Sequence, residues 1–145
     1  MTNSTTVSKG FWVVGILGLI WNCMGAFQFF LEYNYWTNPE SRSALPKNLD
    51  PFYDATPSWL YIIFAVSVLT GMIGCISLLM RKSWAVPLFL ISLITVVVQM
   101  TYTLLGTELI NIMGPTHAIM PIVVMLIALG LYLYSKQSAR KGWLA

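Results

Sequence analysis

The chain has 145 residues, 57% of them hydrophobic and 9% charged, with a mean hydropathy of +0.73; soluble domains carry about a quarter charged residues, so that class is excluded. The formal net charge of +3 is distributed as membrane topology would require, which gives no support to a nucleic-acid partner. Cys23 and Cys75 both fall inside apolar segments, so neither a disulfide framework nor a zinc site is indicated.

Four apolar segments, at 11–31, 59–80, 84–105 and 117–134, each approach the ~20 residues a helix needs to cross ~30 Å of hydrocarbon. They predict an all-α membrane protein, a four-transmembrane-helix up-down bundle forming one domain over residues 1–145. Helices are expected at about 11–32, 58–80, 83–105 and 116–135, with an outer loop at 33–57. Lys9, Arg81, Lys82, Lys136, Arg140 and Lys141 fall on one side of such a bundle. Glu32, Glu40, Asp50, Asp54 and Glu108 all fall on the other. The positive-inside rule then makes both termini cytoplasmic, with membrane lipids as partners of the basic side.

The first segment is the most informative. At ~100° per residue, Gly15, Gly18, Asn22, Gly25, Gln28 and Glu32 fall within an arc of roughly 140°. Polar side chains are costly against lipid, so this stripe is expected to face other helices or a water-filled cavity. In the outer loop, Pro39, Pro46, Pro51 and Pro57 are expected to limit regular structure. Trp36, Leu45, Leu49, Phe52 and Tyr53 favour a loop folded onto the bundle mouth.

Pro57-Ser58-Trp59 opens the second segment, whose Ser67, Gly71 and Cys75 form a small-residue seam suited to close helix packing. The short turn at Arg81, Lys82 and Ser83 requires an antiparallel hairpin. The third segment carries a second polar stripe, with Ser92, Thr95, Gln99, Tyr102 and Thr103 within an arc of roughly 100°. Hydroxyls can be satisfied by their own helix carbonyls, but the Gln99 amide needs partners that lipid does not offer. Gly114-Pro115-Thr116 turns into the fourth segment, where His117 stands in the first turn. Pro121 is expected to remove a helix hydrogen bond and bend this end. Residues 135–145 read as a basic anchor at the inner surface.

At ~1.5 Å rise per residue, Asn22 and Thr95 lie near mid-depth, Gln99 and Gln28 in the outer half, and Glu32 and His117 at the outer rim. The expected substrate-binding set is therefore Asn22, Gln28, Gln99, Glu32, His117, Thr95 and Tyr102, lining a crevice open to the outside. Two readings stand: these residues line a site for a small polar or amphipathic solute, or they hold helices together by hydrogen bonds. No cofactor or metal is expected, since the single histidine is at the rim and phosphate-cradling loops and nucleophile elbows do not occur. No catalytic residue stands out, so an enzyme is not expected. Ion-coupled transport is disfavoured by the lack of a mid-membrane carboxylate. Small-residue faces suit contacts between copies, which makes a homo-oligomer an expectation.

Several stretches carry a resemblance: Trp21-Asn22 with Gly25, Gly74-Cys75 before Arg81-Lys82-Ser83-Trp84-Ala85, Leu90-Ile91-Ser92-Leu93-Ile94 with Val98-Gln99-Met100, Met120-Pro121-Ile122, and Lys141-Gly142-Trp143. Over nearly its whole length the chain resembles small bacterial four-helix membrane proteins commonly labelled sugar transporters. The resemblance implies four spans in a bacterial inner membrane and a transport role. An accessory or structural membrane subunit with no ligand of its own is the alternative.

Overall fold

Long runs of Leu, Ile, Val and Phe can satisfy their backbone in lipid only by closing each N–H onto a carbonyl of the same segment, which is what a helix does. A computed structural model describes residues 6–106 and 109–145. The chain runs as α1 (Lys9–Thr37), the short α2 (Asp50–Ala55), α3 (Ser58–Leu79), α4 (Ala85–Leu105), the short α5 (Leu109–Met113) and α6 (Ile119–Arg140). Four of these, α1, α3, α4 and α6, are long and apolar enough to cross a membrane, and no strand occurs among the described residues. The protein is an all-α, four-helix membrane protein.

Helix ends differ from the sequence expectation in ways with local causes. Thr37 Oγ1 donates to the Tyr33 carbonyl at 2.9 Å, and the Asn38 amide donates to Asn34 Oδ1 at 2.8 Å, so α1 continues past residue 32 to Thr37. The prolines of the outer loop begin turns instead of preventing them. Pro39 opens a 3-10 turn (Pro39–Ala44) and Pro51 sits in the first turn of α2, positions where a missing N–H costs nothing. Pro121 corrects in the same way. Because α6 begins at Ile119 after a 3-10 turn at Pro115–Ala118, Pro121 lies in the first turn, where its N–H would have had no helical partner.

Residues 135–140, expected as surface tail, extend α6, since Lys136, Gln137, Ala139 and Arg140 all favour helix. Gly142, at φ +75°, then ends it: its N–H donates to the Ala139 carbonyl and that of Trp143 to the Ser138 carbonyl, a Schellman arrangement. The same pattern closes α3. There Arg81 takes φ +57°, with its N–H on the Leu78 carbonyl and that of Lys82 on the Ser77 carbonyl. The two helix ends are joined. Arg81 Nε donates to the Trp143 carbonyl at 2.9 Å, the Ala145 N–H donates to the Arg81 carbonyl at 2.8 Å, and the Ser83 N–H donates to the Ala145 carbonyl at 2.9 Å.

Above this clamp the terminal half of the bundle is packed solid around Phe11, Cys75, Leu78, Ala85, Phe89 and Leu131. The Phe11 ring also meets Trp143 edge-on at 5.8 Å. Helix α1 packs on α3, α3 on α4 and α4 on α6. The remaining seam, between α1 and α6, is not closed by helix packing. Leu131 lies against Gly18 and the Tyr134 ring lies 6.5 Å from Phe11, and a groove remains beside these contacts.

Candidate functional site

The loop half of the bundle is hollow. A cavity of about 400 Å³ opens between all four long helices, walled by Trp21, Asn22, Met24, Gly25 and Gln28 of α1, Phe64, Ser67 and Val68 of α3, Gln99 and Met100 of α4, and Met120, Pro121 and Val124 of α6. The small residues of α1 and α3 explain its place. Gly25 has only Val68 within ordinary contact distance of where a Cβ would stand, so no side chain fills this level. A second cavity, about 30 Å³, lies beyond Asn22, with Trp21, Gly71, Phe89 and Ser92 among its walls. Asn22 and Trp21 border both spaces.

Gln99 is 6% exposed, and its side-chain amide forms no hydrogen bond to any described residue. No side-chain N or O among the described residues is both fully enclosed and unpartnered, so the Gln99 amide keeps its accessible surface on the cavity it lines. Such a group in a membrane interior demands a partner. Ser67 is equally buried and lines the same wall, and its backbone carbonyl accepts from Ser92 Oγ at 3.0 Å. Asn22 is tied down: Nδ2 donates to the Gly18 carbonyl at 2.8 Å and approaches Cys75 Sγ at 3.6 Å. It does not reach Gln99, so the two amides are not joined as packing glue.

The remaining expected residues divide. Gln28 borders the cavity but is exposed, and its Nε2 donates to Glu32 Oε1 at 2.8 Å. Glu32 stands one turn further out, away from the cavity wall, where its Oε2 accepts from the Tyr53 hydroxyl at 3.0 Å. Thr95 does not line the cavity, because its hydroxyl turns back to the Ile91 and Ser92 carbonyls of its own helix, both at 2.9 Å. Tyr102 is also outside it, with its ring edge-on to Trp59 at 5.1 Å. The backbone of His117 lies in the 3-10 turn before α6, and its side chain falls outside the described residues, as does Glu108.

The outer loop docks over this end through Arg42. Though charged, Arg42 is buried. Its guanidinium donates to the carbonyls of Tyr35 and Trp36, pairs with Asp54 at 2.8 Å and lies 5.2 Å above the Tyr53 ring. A polar relay thus runs from the cavity wall at Gln28 through Glu32 and Tyr53 to Arg42.

Sequence reasoning missed Ser67 as a wall residue, reading it as packing, and missed the three methionines. Met24, Met100 and Met120 converge on one cavity although they lie on three helices. Flexible, polarizable methionines at a shared depth are the signal that would have found them, since such surfaces adapt to varied apolar ligands. No family model, curated protein or solved structure matches the chain.

Proposed function

We propose that the protein binds a small amphipathic solute, with one or two hydrogen-bonding groups and an apolar body, in the loop-end cavity. The observation that carries this reading is Gln99, a nearly fully buried amide with no side-chain hydrogen-bond partner among the described residues, set on the wall of a cavity of about 400 Å³. That volume lies within the range typical of small-ligand sites, which combine apolar walls with a few placed polar groups. Gln99 would supply both a donor and an acceptor to the ligand head, Ser67 a hydroxyl, and the methionines, Phe64 and Trp21 the apolar surroundings. Walls this apolar suit a molecule with few hydroxyls better than a free sugar. The solid terminal half closes the pocket below Asn22, while Trp21 and Met24 also border the groove between α1 and α6. Transport, if the solute crosses, requires that half to part below Asn22. With the termini cytoplasmic by the positive-inside rule, the pocket faces outward.

The test is photolabelling of the protein in lipid nanodiscs with a medium-chain primary amide bearing a diazirine, with labelled peptides mapped by mass spectrometry. Label on Phe64, Met100 or Met120 that unlabelled amide competes away and Gln99→Leu abolishes is the expected result. Label confined to the outward-facing Phe27 and Phe30, or indifferent to Gln99→Leu, overturns the proposal in favour of a subunit without its own ligand.

A further inference from the structure

The open seam between α1 and α6 is a groove of about 540 Å³, walled by Leu17, Trp21 and Met24 on one side and Ile127, Gly130 and Tyr134 on the other. Apart from the Tyr134 hydroxyl and the Trp21 ring N–H, these side chains have nothing to offer a polar ligand. At its terminal end it runs, through the shared residues Gly130 and Tyr134, into a surface hollow bordered by Lys136, Gln137 and Arg140. Among the described residues no carboxylate pairs with these cations: all five acidic side chains lie between residues 32 and 108, and the ion pairs among the described residues belong to Arg42.

The two ends of this surface have different chemistry at a fixed separation. From Tyr134 to Val124 on the cavity wall is about ten residues of helix, or ~15 Å, which is the depth of one leaflet's hydrocarbon in a ~30 Å core. A cationic, amide-bearing end at the membrane surface above an apolar trough one leaflet deep matches a phospholipid of that leaflet. Gly130 borders open space in the trough, since a Cβ built there meets nothing within 4 Å.

We infer that the α1–α6 groove is a binding site for one anionic phospholipid, with its phosphate held by Lys136, Gln137 and Arg140 and an acyl chain lying across Gly130 as far as Trp21 and Met24. The charge end selects headgroup and the trough holds the chain. The bound chain closes the seam that helix packing leaves open and forms part of the lower wall of the loop-end cavity. This assignment does not depend on what occupies that cavity.

The test is native mass spectrometry of the protein released from micelles doped with equal amounts of phosphatidylglycerol and phosphatidylcholine of identical chains. One retained phosphatidylglycerol, in preference to phosphatidylcholine, is expected. Lys136→Gln and Arg140→Gln should each reduce that preference roughly fivefold, the weight of one cation at an anionic surface. Gly130→Leu, which has open space to occupy, should abolish retention of both lipids while circular dichroism stays unchanged. Equal retention of the two lipids overturns the inference, as does undiminished retention by Gly130→Leu. Efficient crosslinking of Gly130→Cys between copies also overturns it, because a second protein chain would then fill the seam.

Discussion

The side-chain oxygen of Asn22 occupies the space that a side chain on Gly71 would need: a Cβ at residue 71 would lie 2.1 Å from Asn22 Oδ1. The pair fixes how closely α1 approaches α3, and it holds the Asn22 carboxamide at the boundary between the large and small cavities. Gly71→Ala must expel that carboxamide from its bond to the Gly18 carbonyl or push the helices apart. Overpacking of this kind costs about 1–3 kcal/mol. Asn22→Ala should remove most of that penalty, so a double-mutant cycle measured by unfolding in mixed micelles is expected to give strong non-additivity. Additive single effects would mean that the two residues do not share one space.

Gln99 carries an opposed pair of effects. A buried amide without a partner costs stability, about 1–3 kcal/mol for a group left unpaired. Gln99→Leu, close in volume and apolar, is therefore expected to raise the unfolding temperature of the ligand-free protein while abolishing ligand binding. Gln99→Ala enlarges the cavity and should instead lower stability. A Gln99→Leu variant less stable than its parent would show that the amide has a partner that matters to the fold.

How far the sequence speaks is visible in these same residues. The α1 stripe and the Gln99 position were legible because helical periodicity and the cost of an amide in lipid are both local properties. So was the four-helix architecture, which follows from segment length alone. Thr95 and Tyr102 share an arc with Gln99 yet miss the cavity, because a hydroxyl can turn back onto its own helix and a ring can choose a neighbour such as Trp59. The unclosed α1–α6 seam and the burial of Arg42 are relations between distant segments. No periodicity encodes them.

Arg42 is the anchor of the outer loop, and its partners determine what its loss costs. Asp54 is well exposed and can rehydrate, whereas the carbonyls of Tyr35 and Trp36 lose their donor. Arg42→Met is therefore expected to cost about 1–3 kcal/mol, less than breaking a fully buried ion pair. Because only Arg offers a forked set of donors, Arg42→Lys should recover little. Limited proteolysis between residues 38 and 57 measures the result: both variants should be cut faster than the parent, at similar rates.

Burial and the nearby Glu32 carboxylate push the Tyr53 hydroxyl well above the usual tyrosine range, and it donates to Glu32 only while protonated. A group whose folded-state pKa is raised contributes stability that is whole below its unfolded value, about 10 for tyrosine, and is lost as pH rises toward the folded value. The stability difference between the parent and Tyr53→Phe should therefore be constant through neutral pH and shrink above about pH 10. Unfolding midpoints measured across that range check it; a difference that shrinks on acidification instead would point to the carboxylate as the controlling group.

Arg81 stands in the left-handed region, at φ +57°, where a non-glycine residue is strained by roughly 1–2 kcal/mol. The strain is offset by its place in the clamp, with Nε on the Trp143 carbonyl and its own carbonyl accepting from Ala145. Two substitutions separate these contributions. Arg81→Gly loses the side-chain bond but also the strain, so its stability should stay within about 1 kcal/mol of the parent. Arg81→Ala keeps the strain and loses the bond, and should fall below Arg81→Gly by about 1 kcal/mol. In both variants Trp143, which packs on Phe11 at the foot of α1, should become more accessible to an aqueous quencher, because its carbonyl no longer has the donor that seats it. Equal stability of the two variants would mean that the α3 end relaxes freely around residue 81.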